Sequence, residues 1–185
     1  LKASPVHLVG HSYGAFLCLL LGIKHPELVR SLILAEPQVI TLFVSNTPKP
    51  TELLKLLFTR PRTAIAIIRL GAKGLTPAKK AAQNGEMEKA MRLFGQTVLG
   101  SKFYDQLSES RHEQIRANAI KAELLGSGFV SLNRDELLRL KSPTLLVNGY
   151  HSPNVFQRLT DELEELLPNA KRIQIPGASH VMHED

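Results

Sequence analysis

Residues 6–35 leave few options for the fold. Val6-His7-Leu8-Val9 is a short β-prone run closed by Gly10, and from Tyr13 to about His25 the chain is apolar almost all round. Pro26 stops that segment, and Leu28 to Ala35 supplies a second apolar run. Neither run alternates polar with apolar residues, which predicts two strands of a parallel sheet covered on both faces. The segment between them reads as a helix buried against that sheet. Strand, helix of ~12 residues and strand make a βαβ unit whose crossover is right-handed.

The carboxyl-terminal residues repeat the pattern. Pro143 to Asn148 reads as a strand ending at Gly149, and Lys171 to Ile175 as another ended by Pro176-Gly177. Between them Val155 to Leu167 is amphipathic, with Leu159, Leu163, Leu166 and Leu167 on one face and Asp161, Glu162, Glu164 and Glu165 towards water. From Thr47 to Arg139 strand signals nearly vanish. Helices are expected over 52–58, 63–70, 85–99 and 111–125, punctuated by Pro61, Gly71, Gly74, Pro77, Gly100 and Gly126. A helical block between two α/β halves is expected to lie over the carboxyl ends of the strands, where ligands bind in open α/β sheets.

The chemistry starts in the first turn. Gly10-His11-Ser12-Tyr13-Gly14 has the form Gly-x-Ser-x-Gly and stands between a strand and a helix, the context that makes this pattern a nucleophile elbow. The turn is tight enough to force Ser12 into a strained backbone, and side chains at positions 10 and 14 are expected to clash with neighbouring backbone. Ser12 is thereby presented at a helix N-terminus, which favours a developing anion, and the Tyr13 backbone N–H is placed as an oxyanion donor.

The segment VHLVGHSYGAFLCLLLGIKHPELVRSLIL resembles the nucleophile region of α/β-hydrolases, and KSPTLLVNG followed by helix, strand and IPGASH resembles their carboxyl-terminal region. The resemblance implies an α/β fold: a mostly parallel sheet with residues 1–46 as the nucleophile-bearing core, 47–139 as a helical cap, and 140–185 as the part carrying the histidine. The elbow begins at residue 10, whereas these hydrolases carry several strands before it, so the chain is expected to be an incomplete form of the fold without the N-terminal strands. Such a piece would expose a parallel sheet edge.

His180 follows the last predicted strand and obeys the order Ser before His. Near neutral pH its imidazole can take the Ser12 proton and return it to a leaving group. His183 is read as a flanking residue, His7 as a satisfied core histidine, and His11 as a group that shapes the pocket. Similar enzymes commonly place the acid after the strand corresponding to Thr144–Asn148, but Gly149 to Asn154 contains no carboxylate. Some members place it after the strand following the nucleophile helix, where this chain has Glu36. Glu36 is therefore assigned as the acid, against Asp161 or no acid at all.

Ser12 argues against the dehalogenases and epoxide hydrolases of this fold, which use Asp there. The expected function is hydrolysis of a carboxylic ester or related acyl bond, without metal or organic cofactor. The alternatives are a receptor-like ligand binder, a cofactor-free haloperoxidase and a carbon–carbon bond hydrolase. The net charge is +6, but residues 47–102 hold eleven Lys/Arg against Glu52, Glu86 and Glu88. The basic charge thus belongs to the cap, which fits an apolar or anionic small-molecule substrate, and no aromatic platform or binding motif points to nucleic acid. A single cysteine, Cys18, excludes an internal disulfide framework and suits a cytoplasmic location, and no apolar run is long enough to span a membrane.

Overall fold

The computed structural model describes residues 4–126 and 128–183, without the side chains of 118–122; Leu1 and Asp185, the outer limits of the expected domains, lie outside them. The chain divides into two compact units, one formed by residues up to Ser45 together with those from Ser131, the other by Asn46–Val130.

The first unit is built on a four-stranded parallel sheet in the order β1 (Val6–His11), β2 (Val29–Ala35), β3 (Thr144–Gly149), β4 (Ala170–Ile175). Helix α1 (Tyr13–Lys24) links β1 to β2, and α9 (Asn154–Leu166) links β3 to β4, as the two βαβ readings require. In α1, Ala15, Phe16, Leu19 and Gly22 are buried. Gly22 lets the helix approach β2 closely, since a Cβ there would stand 3.2 Å from the Leu32 side chain. The core continues through Leu32, Leu34 and Leu146 of the sheet and Phe156, Leu159 and Leu163 of α9, all 1% exposed or less.

Partners in register share a face, and the two faces of this sheet differ. Leu8, Leu32 and Thr144 lie on the face packed against α1. The opposite row runs from Val9 through Ile33 and Leu145 to Lys171, and there Val9 is 71% exposed. The expectation of cover on both faces therefore fails for β1, whose residues alternate between exposed and partly buried. His7 corrects in the same way: it is exposed, not a core residue, and its Nδ1 bonds the hydroxyl of its register partner Ser31 at 2.6 Å. Glu162 corrects in the other direction. It is 2% exposed, because the Arg134 guanidinium of α8 (Arg134–Leu138) reaches over α9 and pairs with its carboxylate.

Every element among the described residues of the second unit is a helix: α2 (Pro50–Thr59), α3 (Pro61–Leu70), α4 (Thr76–Gln83), α5 (Met87–Leu99), α6 (Ser101–Tyr104) and α7 (Glu109–Gln114). Proline opens α2 and α3, where its missing N–H costs nothing. Gly71 and Gly74 do not break the chain as expected. A π-type turn, Gly71–Leu75, carries the helix across them into α4, and the Thr97 side chain of α5 occupies the space a Gly74 Cβ would fill, 2.1 Å away. Ala78, Ala81 and Ala82 of α4 and Ala90, Met91 and Phe94 of α5 supply much of this unit's core. After α7 a second π-type stretch, Ile115–Leu124, continues the helix. Among the described residues no helix is long and apolar enough to cross a membrane.

Candidate active site

In register, His11, Ala35 and Val147 are neighbours across β1, β2 and β3, so these strands end along one edge of the sheet. Ser12 and Glu36 leave from that edge.

Ser12 stands between β1 and α1 with φ 52° and ψ −117°, a left-handed backbone that a serine adopts only when its surroundings enforce it. The enforcement is visible: Ser12 N–H donates to Ala35 O at 2.8 Å, and Ser12 O accepts the Phe16 N–H at 3.1 Å. A Cβ on Gly10 would meet the backbone of Gly14 and Ala15 at 2.6 Å, so position 10 has room only for glycine. Position 14 does not follow that expectation. A Cβ on Gly14 meets nothing within 4 Å, because it points out from the first turn of α1. Tyr13 is the first residue of α1, which sets its backbone N–H at the helix end beside Ser12.

β2 ends in a second strained turn. Glu36 has φ 46° and is fully buried, and its N–H is tied to Val147 O at 3.0 Å. The turn aims its carboxylate across the sheet edge. Oε2 accepts the His180 Nδ1–H at 2.5 Å, while Oε1 accepts the Gly149 N–H at 2.9 Å and the Asn148 Nδ2–H at 3.3 Å. The loop after β3, which has no carboxylate of its own, thus supplies a backbone donor that holds the carboxylate arriving from β2. Asp161, the other carboxylate weighed for this role, lies on α9 with Arg172 at 2.5 Å and Arg158 at 3.1 Å.

His180 is 2% exposed. With Nδ1 donating to Glu36, its Nε2 is left as an acceptor 3.1 Å from Ser12 Oγ. Ser12, His180 and Glu36 therefore form one unbroken hydrogen-bonded line. Three contacts beside that line have no sequence signature. The Phe156 ring of α9 stacks on the His180 ring at 4.0 Å between centroids and 14° between planes. His11 Nε2–H donates to the His180 carbonyl at 2.6 Å. The Gln38 side chain, 6% exposed, donates from Nε2 to Ser12 Oγ at 3.3 Å. Burial, with the neighbouring His180 next in weight, lowers the His11 pKa to about 4. His183 packs on the His11 ring at 4.9 Å.

Gly149 shows how tightly the two loops meet. A Cβ there would lie 2.3 Å from Ser179 O and 2.6 Å from Ala178 O, so the absence of a side chain on β3 lets the histidine loop close over it. His151 N–H donates to Ala178 O at 2.8 Å and fastens the same contact.

The comparisons with known proteins agree with this architecture. A family model described as the alpha/beta hydrolase fold matches residues 1–185. Among solved structures, the chain is similar to a serine hydrolase from the polyaromatic-hydrocarbon-degrading bacterium Cycloclasticus zankles, at TM-score 0.61 and 18% identity, covering 98% of this chain and 59% of that one. It is also similar to the naproxen esterase (carboxylesterase NP) of Bacillus subtilis, at TM-score 0.55 and 16% identity, covering 98% and 55%. An alpha/beta hydrolase from Sphaerobacter thermophilus matches at TM-score 0.52 and 19% identity, covering 93% and 60%. At these identities the likeness speaks to the fold, and the chain spans less than two thirds of each of these proteins. The four-stranded parallel sheet with its helices corresponds to an incomplete alpha/beta-hydrolase fold, and the chain belongs to the alpha/beta hydrolase family.

Proposed function

We propose that the intact protein is a serine hydrolase that cleaves a carboxylic ester or a related acyl bond. The observation that carries this reading is the continuous line from Ser12 Oγ through the His180 ring to Glu36, at 3.1 and 2.5 Å. In that line the serine proton has one destination. Ser12 Oγ attacks the acyl carbon and gives its proton to His180 Nε2, the carbonyl π pair moves onto oxygen, and the Tyr13 N–H helps to hold the resulting oxyanion. The carbon–oxygen bond to the leaving alcohol then breaks, and His180 returns the proton to that alcohol. Water repeats the sequence in reverse: His180 takes its proton, the hydroxide adds to the acyl-enzyme, and Ser12 leaves carrying the proton back. Glu36 keeps His180 in the Nδ1–H tautomer and offsets its charge when Nε2 is protonated.

The test is direct labelling. A fluorophosphonate probe should modify Ser12 in the intact protein and leave Ser12→Ala unmodified. A folded protein that takes up no probe is not a serine hydrolase of this kind.

A further inference from the structure

The turn that ends β2 delivers two side chains to the site, two residues apart. Its backbone is pinned on both sides, with Ala35 O accepting from Ser12 N–H at 2.8 Å and Glu36 N–H donating to Val147 O at 3.0 Å. Glu36 then takes its left-handed conformation, and Val39 N–H closes back onto Pro37 O at 3.0 Å. From this fixed frame Glu36 is directed to one end of the Ser12–His180 pair and Gln38 to the other.

We propose that Gln38 is a catalytic residue whose carboxamide N–H donates to the nucleophile oxygen and stabilises the negative charge that grows there as the proton leaves. The inference rests on the serine-hydrolase reading and adds to it a residue that the nucleophile motif does not contain. The argument follows from counting protons. A serine hydroxyl has one hydrogen and two lone pairs. His180 Nε2 is an acceptor, because Nδ1 carries the ring hydrogen towards Glu36, so the Ser12 hydrogen belongs to the 3.1 Å bond with Nε2. The remaining neighbour of Oγ must then donate, and Gln38 presents its Nε2 at 3.3 Å. The opposite amide orientation would set two acceptors against a single hydrogen and divert it from the base. With Gln38 donating, the serine hydrogen is directed to His180 before substrate arrives.

The same bond acts during attack. As Oγ loses its proton to His180 and forms the bond to the acyl carbon, charge passes through Oγ, and a donor already aimed at it in a buried setting is worth more than water. Gln38 is 6% exposed, so little solvent competes for that position. Losing one preorganised donor to the carbonyl oxyanion costs about 10²–10³ in rate, and the charge on Oγ is smaller and transient. At 3.3 Å in the resting state the bond is longer than usual, so its loss is expected to cost about tenfold or more.

The experiment uses the intact protein, a fluorophosphonate probe, and a p-nitrophenyl ester. Gln38→Met keeps the length of the side chain without the donor, and Gln38→Glu keeps its shape while replacing the donor by an acceptor. Both should be inactivated by the probe about tenfold or more slowly than the parent, with kcat falling in proportion and KM within about twofold, since the donor serves the reacting oxygen and not substrate binding. In the parent with 15N-labelled glutamine, modification of Ser12 should shift the Gln38 carboxamide signal, a readout that needs no active variant. Folded variants that react at the parental rate overturn the proposal, as does a Gln38 signal that stays put when Ser12 is modified. A folded parent whose Ser12 takes no probe overturns the serine-hydrolase reading and this one with it, whereas a labelled parent with equally reactive variants overturns the role of Gln38 alone.

Discussion

Glu36→Gln should nearly abolish turnover, for a reason that lies in the donors around the carboxylate. In the parent both oxygens accept: one from His180, the other from the Gly149 N–H at 2.9 Å and the Asn148 Nδ2–H at 3.3 Å. A glutamine in the same place has one oxygen and one NH2. The Gly149 N–H can only donate there, so it captures the glutamine oxygen and turns the NH2 towards His180 Nδ1. That nitrogen must then become an acceptor, and the ring hydrogen moves to Nε2, where it faces Ser12 as a donor. The imidazole is held in place in the wrong tautomer and cannot take the serine proton. The corresponding exchange in a serine protease triad lowers kcat about 10⁴-fold, and the same order is expected here. The assay is release of p-nitrophenolate from an activated ester by the intact protein, with far-UV circular dichroism to show that the isosteric change leaves the fold in place. Asp161→Asn, on a carboxylate held by Arg172 and Arg158, should keep the parental rate. A Glu36→Gln protein that retains a tenth of the parental activity would refute the assignment of the acid and the tautomer argument together.

Three further outcomes follow from geometry elsewhere in the chain. Gly10→Ala drives a Cβ into backbone at 2.6 Å and should cost about 3 kcal/mol in urea unfolding, whereas Gly14→Ala finds open space and should be neutral or stabilising by up to about 1 kcal/mol; equal effects would mean the elbow is not as tight as described. Arg134→Leu removes the guanidinium paired with the buried Glu162 carboxylate and should cost about 3 kcal/mol, while the double change with Glu162→Leu should regain most of it, and a double variant no more stable than the single one would contradict the pairing. The two units should also respond to acid in opposite directions. The His11 pKa is lowered from 6.5 to about 4, so the unfolded chain binds its proton first, and the first unit loses up to about 3 kcal/mol as pH falls from 6.5 to about 4. Burial raises the Glu123 carboxyl from 4.5 to about 7, so the folded second unit keeps its proton longer and loses stability as pH rises through that range. Hydrogen exchange read separately on each unit between pH 4.5 and 6.5 should show this divergence, with His11→Phe removing the first trend and Glu123→Gln the second.

The parts legible in sequence are those whose signal is local. The strands and helices of the first unit follow from apolar runs bounded by Gly and Pro. Ser12 announces itself by its neighbours, and His180 by following the last strand. Glu36 is reached only through the family resemblance, since some members carry the acid at the end of this strand. The contacts that complete the site depend on register instead. Asn148 and Gly149 meet Glu36 because β2 and β3 run side by side, and Gln38 reaches Ser12 because the turn at Glu36 has a positive φ. No residue type at position 38 or 156 signals such a role. The misread positions share that origin: Glu162 is polar in pattern yet buried by Arg134, and Gly74 resembles a breaker until Thr97 is seen beside it.

If Glu36 and His180 act as proposed, the placement of the acid on β2 also sets an order of assembly. Ser12 and Gln38 are 26 residues apart, joined through a single strand–helix–strand crossover, whereas His180 lies 168 residues beyond Ser12. The entropy lost on closing a loop grows with its length, and short-range pairings form before long-range ones. The elbow, the acid and the amide therefore belong to one early, locally encoded piece of the chain. The base comes last, once β3 and β4 have joined the sheet, so a nascent or partly unfolded molecule carries a serine with no base to activate it. On the proposed reading, reactivity at Ser12 would be a proofreading signal, present only when both ends of the first unit have found each other.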